Sequence, residues 1–144
     1  MRTQPLRKTI AVSGGFDPIH IGHIRMINDA ARLGDVMVFL NSDAFLMRKK
    51  SYVFMDFAQR KEILENIKGV KEVLDVIDTD DTVCQTLNKY RPDIFANGGD
   101  RTHDNIPEVD ICKNLGIAMV FNMGGDKIQS SSVLVKNINT GDKK

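Results

Sequence analysis

The sequence predicts an α/β domain in three layers, with a five-stranded parallel sheet between helices. Two observations carry that prediction. Five short apolar segments recur along the chain, alternating with stretches of helical spacing or helix-capping pattern, which implies parallel pairing through crossover connections. One of them, Val36-Met37-Val38-Phe39-Leu40, has no polar alternation at all, as expected for a strand covered on both faces.

Taken in order, residues 9–13 read as the first strand, ending at Gly14-Gly15. Over 21–32, Ile24, Ile27, Ala30 and Ala31 fall at helical spacing, and Gly34 follows as a stop. Residues 36–40 form the second strand. A basic stretch, roughly 42–54, reads as irregular. Asp56 can cap the next helix, which carries Ile63, Leu64 and Ile67 on its apolar side. The third strand is placed at 72–77. Asp80 or Asp81 is expected to cap a helix to Tyr90, where Pro92 blocks continuation. Residues 94–96 are a short fourth strand, followed by Asn97-Gly98-Gly99-Asp100. Pro107 is expected in the first turn of a helix to Leu115, closed by Gly116. The fifth strand is placed at 117–121, and a last helix from about Ser131, with 140–144 expected to fray.

Composition bounds the function. A chain of 144 residues suits one domain, with a core over about 8–139. With 20 basic and 19 acidic residues, no global field draws nucleic acid or an anionic membrane. No apolar stretch approaches the ~20 residues of a membrane span, and no apolar segment follows the basic start, so neither a span nor a signal peptide is expected. Two cysteines, Cys84 and Cys112, lie far apart without a CxxC pair. That pattern suits thiols in a reducing cytoplasm better than a disulfide framework.

In open parallel sheets, ligands bind beyond the carboxyl ends of the strands, and the pointed residues gather there. Gly14 and Gly15 permit a tight turn and a close ligand approach. His20 and His23 sit three apart at a helix start, about 60° apart on one face, with Gly22 between them. Free amides and the positive dipole end make that place an anion site. The same two histidines would also fit a metal or a solvent-exposed helix face, although no third ligand stands at fixed spacing. Arg48-Lys49-Lys50 is a cationic cluster or a solvated loop. Asn97-Gly98-Gly99-Asp100 is a good turn, and Ser130, Ser131 and Ser132 can cap a helix or bind phosphate.

The segment Gly14-x-Phe16-Asp17-x-x-His20-x-Gly22-His23 resembles the GxFDxxHxGH signature of the cytidylyltransferase-like nucleotidyltransferases. Further motifs follow in family order: Gly34-Asp35, Asn41-Ser42-Asp43-Ala44, Gln59-Arg60, Pro92-Asp93-Ile94, Gly98-Gly99-Asp100 and Ser130-Ser131-Ser132. The resemblance covers about 8–139 and implies a Rossmann-like fold. In detail the chain is most similar to the adenylyltransferase domain of ADP-heptose synthesis, then to glycerol-3-phosphate cytidylyltransferases.

The resemblance implies nucleotide contacts at Gly14, Gly15, Phe16, Asp17, His20, Gly22, His23, Gly98, Gly99, Asp100 and Ser130 to Ser132. It implies a catalytic set of His20, His23, Lys49, Lys50 and Arg60, the last facing phosphate. An ungapped count from Asp43 to Arg60 favours Lys49 against the cytidylyltransferases, while Lys50 matches the heptose enzymes equally well. The implied chemistry joins a phosphorylated sugar or polyol to a nucleotide from ATP or CTP, with Mg²⁺ accompanying the triphosphate. A homodimer in the cytoplasm is expected. Cytidylyltransferases carry an arginine before the serines, whereas residues 122–129 here bring only Lys127, which favours ATP. The alternatives are a CTP-dependent polyol-phosphate enzyme and, from another class, a nucleotide-binding regulator without turnover.

Overall fold

A computed structural model describes residues 7–98, 106–121, 123–124 and 134–135. Its strands are β1 (Thr9–Gly14), β2 (Asp35–Leu40), β3 (Val70–Asp75), β4 (Ile94–Ala96) and β5 (Ala118–Val120). Its helices are α1 (Ile21–Ala31), α2 (Asp43–Lys50), α3 (Phe57–Glu65), α4 (Cys84–Tyr90) and α5 (Val109–Leu115). The strands form one parallel sheet in the order β3-β2-β1-β4-β5. The order reverses between β1 and β4, which puts the switch-point crevice at the carboxyl ends of those two strands.

Strand alternation sorts the core into two layers. Ile10, Val12, Val36, Val38, Leu40, Val73 and Ala96 pack on one face with Ile27 and Ala30 of α1 and Leu64 of α3. Ala11, Met37, Phe39 and Phe95 pack on the other with Leu87 of α4 and Cys112 of α5. The three-layer α/β architecture expected from the sequence is therefore the architecture found.

Four local expectations change. The basic stretch after β2 is not irregular: Asp43–Lys50 is a helix, capped by Ser42, whose Oγ accepts the Phe45 amide at 3.0 Å. Asp43 in its first turn and Arg48, Lys49 and Lys50 in its last complement the helix dipole. The third strand begins two residues earlier than the apolar run suggests, and its pairing with β2 slips between Val36 and Met37. Neither Asp80 nor Asp81 caps α4. Asp78 does so, accepting the amides of Gln85 and Thr86 at 2.7 and 3.0 Å. Asp80 instead closes the preceding turn, where the Thr82 amide and hydroxyl hold its carboxyl below the usual carboxylate range. Pro107 precedes α5 by a turn, and Gly116 ends that helix at φ 72°. Asp56 caps α3 as expected, through the Gln59 amide. Leu134 and Val135 are helical, inside the last helix expected.

Both cysteines are free thiols. Burial, with Glu108 beside it, pushes the Cys112 thiol up to about 11, so it stays protonated and unreactive at neutral pH. Among the described residues no helix is long and apolar enough to cross a membrane.

Candidate active site

The site grows from the end of β1. Gly14 closes the ladder against Leu40, and its carbonyl accepts the Asn41 amide at 3.0 Å. At Gly15 an added Cβ would stand 2.7 Å from Leu46 Cδ2 of α2, so a larger residue would force the buried Leu46 side chain to move. Phe16 takes φ 51°, a left-handed conformation uncommon outside glycine, and is buried. Its ring lies 4.6 Å from that of His23.

The two histidines build the start of α1 themselves. His20 is the N-cap, and its Nδ1 accepts the Gly22 amide at 3.1 Å. His23, at the third helical position, accepts the His20 amide on its own Nδ1 at 3.1 Å. The rings stack with centroids 3.8 Å apart and 21° between planes. This is a capping box in which imidazoles do the work of hydroxyl and carboxylate. It fixes the tautomers. A nitrogen that accepts an amide carries no proton, so each neutral ring holds its proton on Nε2. Both rings thus become oriented N–H donors at a helix N-terminus, an arrangement suited to phosphate oxygens. Gly22 is the enabling residue, since a Cβ there would stand 2.9 Å from His20 Cε1. In Gly22→Ala we expect little net change in Tm, because the gain from the better helix former offsets the loss of the displaced His20 cap, together with a kcat at least ~10-fold lower as the His20 ring is displaced. A wild-type kcat in that variant would show that the ring's placement is immaterial.

The segment 51–56 crosses from α2 to α3 and is pinned to the β1 loop by two buried charges. Asp17 is fully buried and accepts the amides of Phe54 and Met55, each at 2.6 Å. Both of its carboxylate oxygens therefore hold this segment, at a residue for which the resemblance implied a nucleotide contact. Arg60 was expected to face phosphate, yet its side chain is fully buried. Its guanidinium donates to the carbonyls of Met55 (2.9 Å), Gly15 (2.8 Å) and Asn41 (2.8 Å), and to the Asp43 carboxylate at 2.6 Å. The structure therefore places it as a clamp joining the β1 loop, the end of β2, the start of α2 and the segment before α3. Asn41, Asp43 and Met55 are members of the site that residue type alone does not reveal.

At the far end of α2, Arg48 and Lys49 both reach Asp81, at 3.4 and 3.5 Å. Lys50 is half-buried and makes no ion pair or hydrogen bond among the described residues. Across the crevice, Gly98 follows β4 against Met26 of α1, and the Gly124 amide donates to Asp29 at 2.8 Å. Gly99, Asp100, Lys127 and Ser130 to Ser132 lie outside the described residues.

A family model described as cytidylyltransferase-like matches residues 11–137. The chain belongs to the cytidylyltransferase-like family. Among curated relatives it is 34% identical over 113 residues to a bifunctional protein HldE of Syntrophotalea carbinolica, covering 76% of this chain and 23% of that protein. It is 30% identical over 97 residues to an FAD synthase of Ferroglobus placidus, covering 67% of this chain and 62% of that one. The chain thus spans about a quarter of the HldE proteins it matches. Among solved structures, a lipopolysaccharide core biosynthesis protein of Thermoplasma volcanium superposes with TM-score 0.65 at 21% identity, over 79% of this chain and 94% of that one. At that identity the likeness concerns the fold. The cytidylyltransferase-like signature and the histidine capping box coincide in this chain at the sheet's switch point.

Proposed function

We propose that the protein is an adenylyltransferase that moves AMP from ATP to the phosphate of a phosphorylated sugar, of the heptose 1-phosphate type, and releases pyrophosphate. The observation that carries this reading is the pair of stacked imidazoles held at the start of α1 through their Nδ1 hydrogen bonds. The HldE relatives favour the sugar acceptor. The FAD synthase relative, named for an adenine dinucleotide, favours adenylyl over cytidylyl transfer.

The chemistry fits the residues. A phosphate monoester is largely dianionic at pH 7, its second pKa being about 6, so the nucleophile needs no general base. Its oxygen attacks the α-phosphorus, a new P–O bond forms, and the bond to the β-phosphate breaks with its electrons passing to pyrophosphate. The difficulty is gathering two polyanions and meeting the charge that grows on the leaving group. His20 and His23 would donate to that charge, and Lys50 or Lys49 would hold phosphate. Arg60 and Asp17 act through the segment they position. Mg²⁺ is proposed to arrive on the triphosphate and lower its charge; among the described residues no group of three side chains is gathered to hold a metal independently.

The test is a pyrophosphate-release screen crossing ATP, CTP, GTP and UTP with phosphorylated sugars and polyols. ATP with a sugar phosphate should give the highest kcat/KM. CTP with a polyol phosphate as the best pair would put the cytidylyltransferase reading in its place, and nucleotide binding without release in any pair would leave a regulator.

The two lysines can be separated. Because Lys49 is partnered by Asp81 and Lys50 is not, Lys50→Ala should lower kcat/KM ~10-fold or more, and Lys49→Ala less than ~3-fold, as expected for exposed charges. Equal, small losses that vanish with added salt would assign both to a solvated surface.

A further inference from the structure

We infer that Asp29 is a positioning residue: it seats the chain that leaves β5 on α1, beside the histidine pair, and so fixes one wall of the crevice that a nucleotide enters. The inference rests on the nucleotidyltransferase reading above. Asp29 stands in the last turn of α1, where no basic residue accompanies it. A carboxylate there opposes the helix dipole, and aspartate is among the weaker helix formers. Its ion pair with Arg32, at 3.8 Å, is exposed and contributes little. The helix itself therefore does not account for this residue. A contact outside the helix does, because Oδ2 accepts the Gly124 amide at 2.8 Å.

Gly124 makes that bond possible in two ways. Its φ of 85° is one that side chains other than glycine's rarely permit. An added Cβ would also stand 3.0 Å from both the N and the Cα of Met26 and 3.3 Å from its Cβ. Residue 124 thus lies directly on the backbone of α1. The contact falls next to the candidate site. Met26 follows His23 by three residues, about 4.5 Å along the axis and on an adjoining part of the same face. The Sδ of the same methionine lies 3.9 Å from the place a Cβ would take at Gly98. The exits of β4 and β5 therefore both lean on the turn of α1 that follows His23. Two ties hold the exit of β5. The Met123 amide donates to the Asn97 carbonyl at 3.0 Å, a backbone bond that comes with the sheet. The second is the Asp29 carboxylate, a side chain that the sheet does not require. Without it the crevice is free to widen on the side next to His23, and a triphosphate bound there loses a fixed wall. Holding that wall in place before the ligand arrives saves the cost of ordering it on binding.

The test compares wild-type protein with Asp29→Ala, Asp29→Asn, Gly124→Ala and the Asp29→Ala/Gly124→Ala double variant. Titrations with ATP and with CTP, each with Mg²⁺, are read on the better-bound nucleotide beside the Tm of the free proteins. Asp29→Ala should bind that nucleotide ~3–10-fold more weakly, the size of one net hydrogen bond. Its Tm should change little, because a better helix former relieved of the dipole offsets the lost bond. Asp29→Asn keeps an oxygen that accepts the Gly124 amide, and should bind as wild type does. Gly124→Ala should weaken binding by lifting residue 124 from α1, and the double variant should be little worse than the weaker single one, since both remove the same seat. Wild-type affinity in Asp29→Ala, a loss shared in full by Asp29→Asn, or additive losses in the double variant would overturn the assignment while leaving the transferase reading intact. A wild-type protein that binds neither nucleotide would overturn that reading itself.

Discussion

His23→Gln should fold with nearly wild-type stability and lose ~10²–10³-fold in kcat. Glutamine is a preferred residue at the third position of a capping box, where its side-chain oxygen can accept the N-cap amide. It therefore replaces what His23 Nδ1 does for His20, a bond of 3.1 Å, but supplies no imidazole N–H to the triphosphate. His23→Ala loses both, and should cost a further ~1 kcal/mol of stability, typical of a lost cap. Removing one preorganised donor from a site of charge development costs ~10²–10³ in kcat in other enzymes, and the effect belongs in kcat more than in nucleotide affinity. Thermal melts and steady-state kinetics on the two variants separate the roles. If His23→Gln kept a wild-type kcat, His23 would be a cap and nothing more, and catalysis would have to be sought elsewhere.

The layers of the fold were legible because β2 and β4 are almost wholly apolar and β1 has a buried apolar centre at Ile10-Ala11-Val12, and a fully covered strand has few other readings. The misreadings share a cause, which is that tertiary contacts decided what local pattern could not. α2 buries only Leu46, so it shows no apolar stripe. Its available signals were Ser42 as a cap and the acid-to-base gradient from Asp43 to Lys50. β3 is an edge strand with exposed Lys71, Glu72 and Asp75, so the apolar run ending at Val76 and Ile77 drew the boundary too late. Asp78 lies farther along the chain from α4 than Asp80 and Asp81, so sequence distance does not point to it as the cap. Its hydrogen bonds to Gln85, Thr86 and Thr82 depend on how the loop turns.

The candidate site was legible where glycines and histidines constrain the backbone, and illegible where charges are buried. Gln59-Arg60-Lys61 reads as a polar helix face, and nothing in its spacing tells that the middle residue points inward. Asp17 sits inside the signature segment, so the natural expectation was ligand contact. A buried carboxylate needs partners, and here backbone amides of Phe54 and Met55 supply them. Those amides are invisible to any reading of residue types.

The buried clamp leads to the largest expected effect on stability. Arg60→Lys keeps the charge but not the planar fork, and a single ammonium cannot reach three carbonyls and a carboxylate that surround a guanidinium from several sides. The carbonyls of Gly15, Asn41 and Met55 would be left short of donors in a region closed to water. Breaking one side of a buried ionic cluster costs ~3–5 kcal/mol. Asp43 is 44% exposed and can rehydrate, which brings the expectation down to ~2–4 kcal/mol. For a chain of this length that is a fall in Tm of roughly 10 °C. Activity should fall as well, because the β1 loop that ends at His20 and the start of α2 lose their common anchor. The stability measurement discriminates between the two roles open to Arg60. An arginine that reached out to phosphate would leave the free protein's Tm unchanged on conversion to lysine and raise the nucleotide KM. A clamp lowers Tm in the absence of any ligand, and lowers kcat at temperatures where the variant is still folded. An Arg60→Lys protein with wild-type Tm and a raised nucleotide KM would therefore return Arg60 to the phosphates and require the segment 51–56 to be held by Asp17 alone.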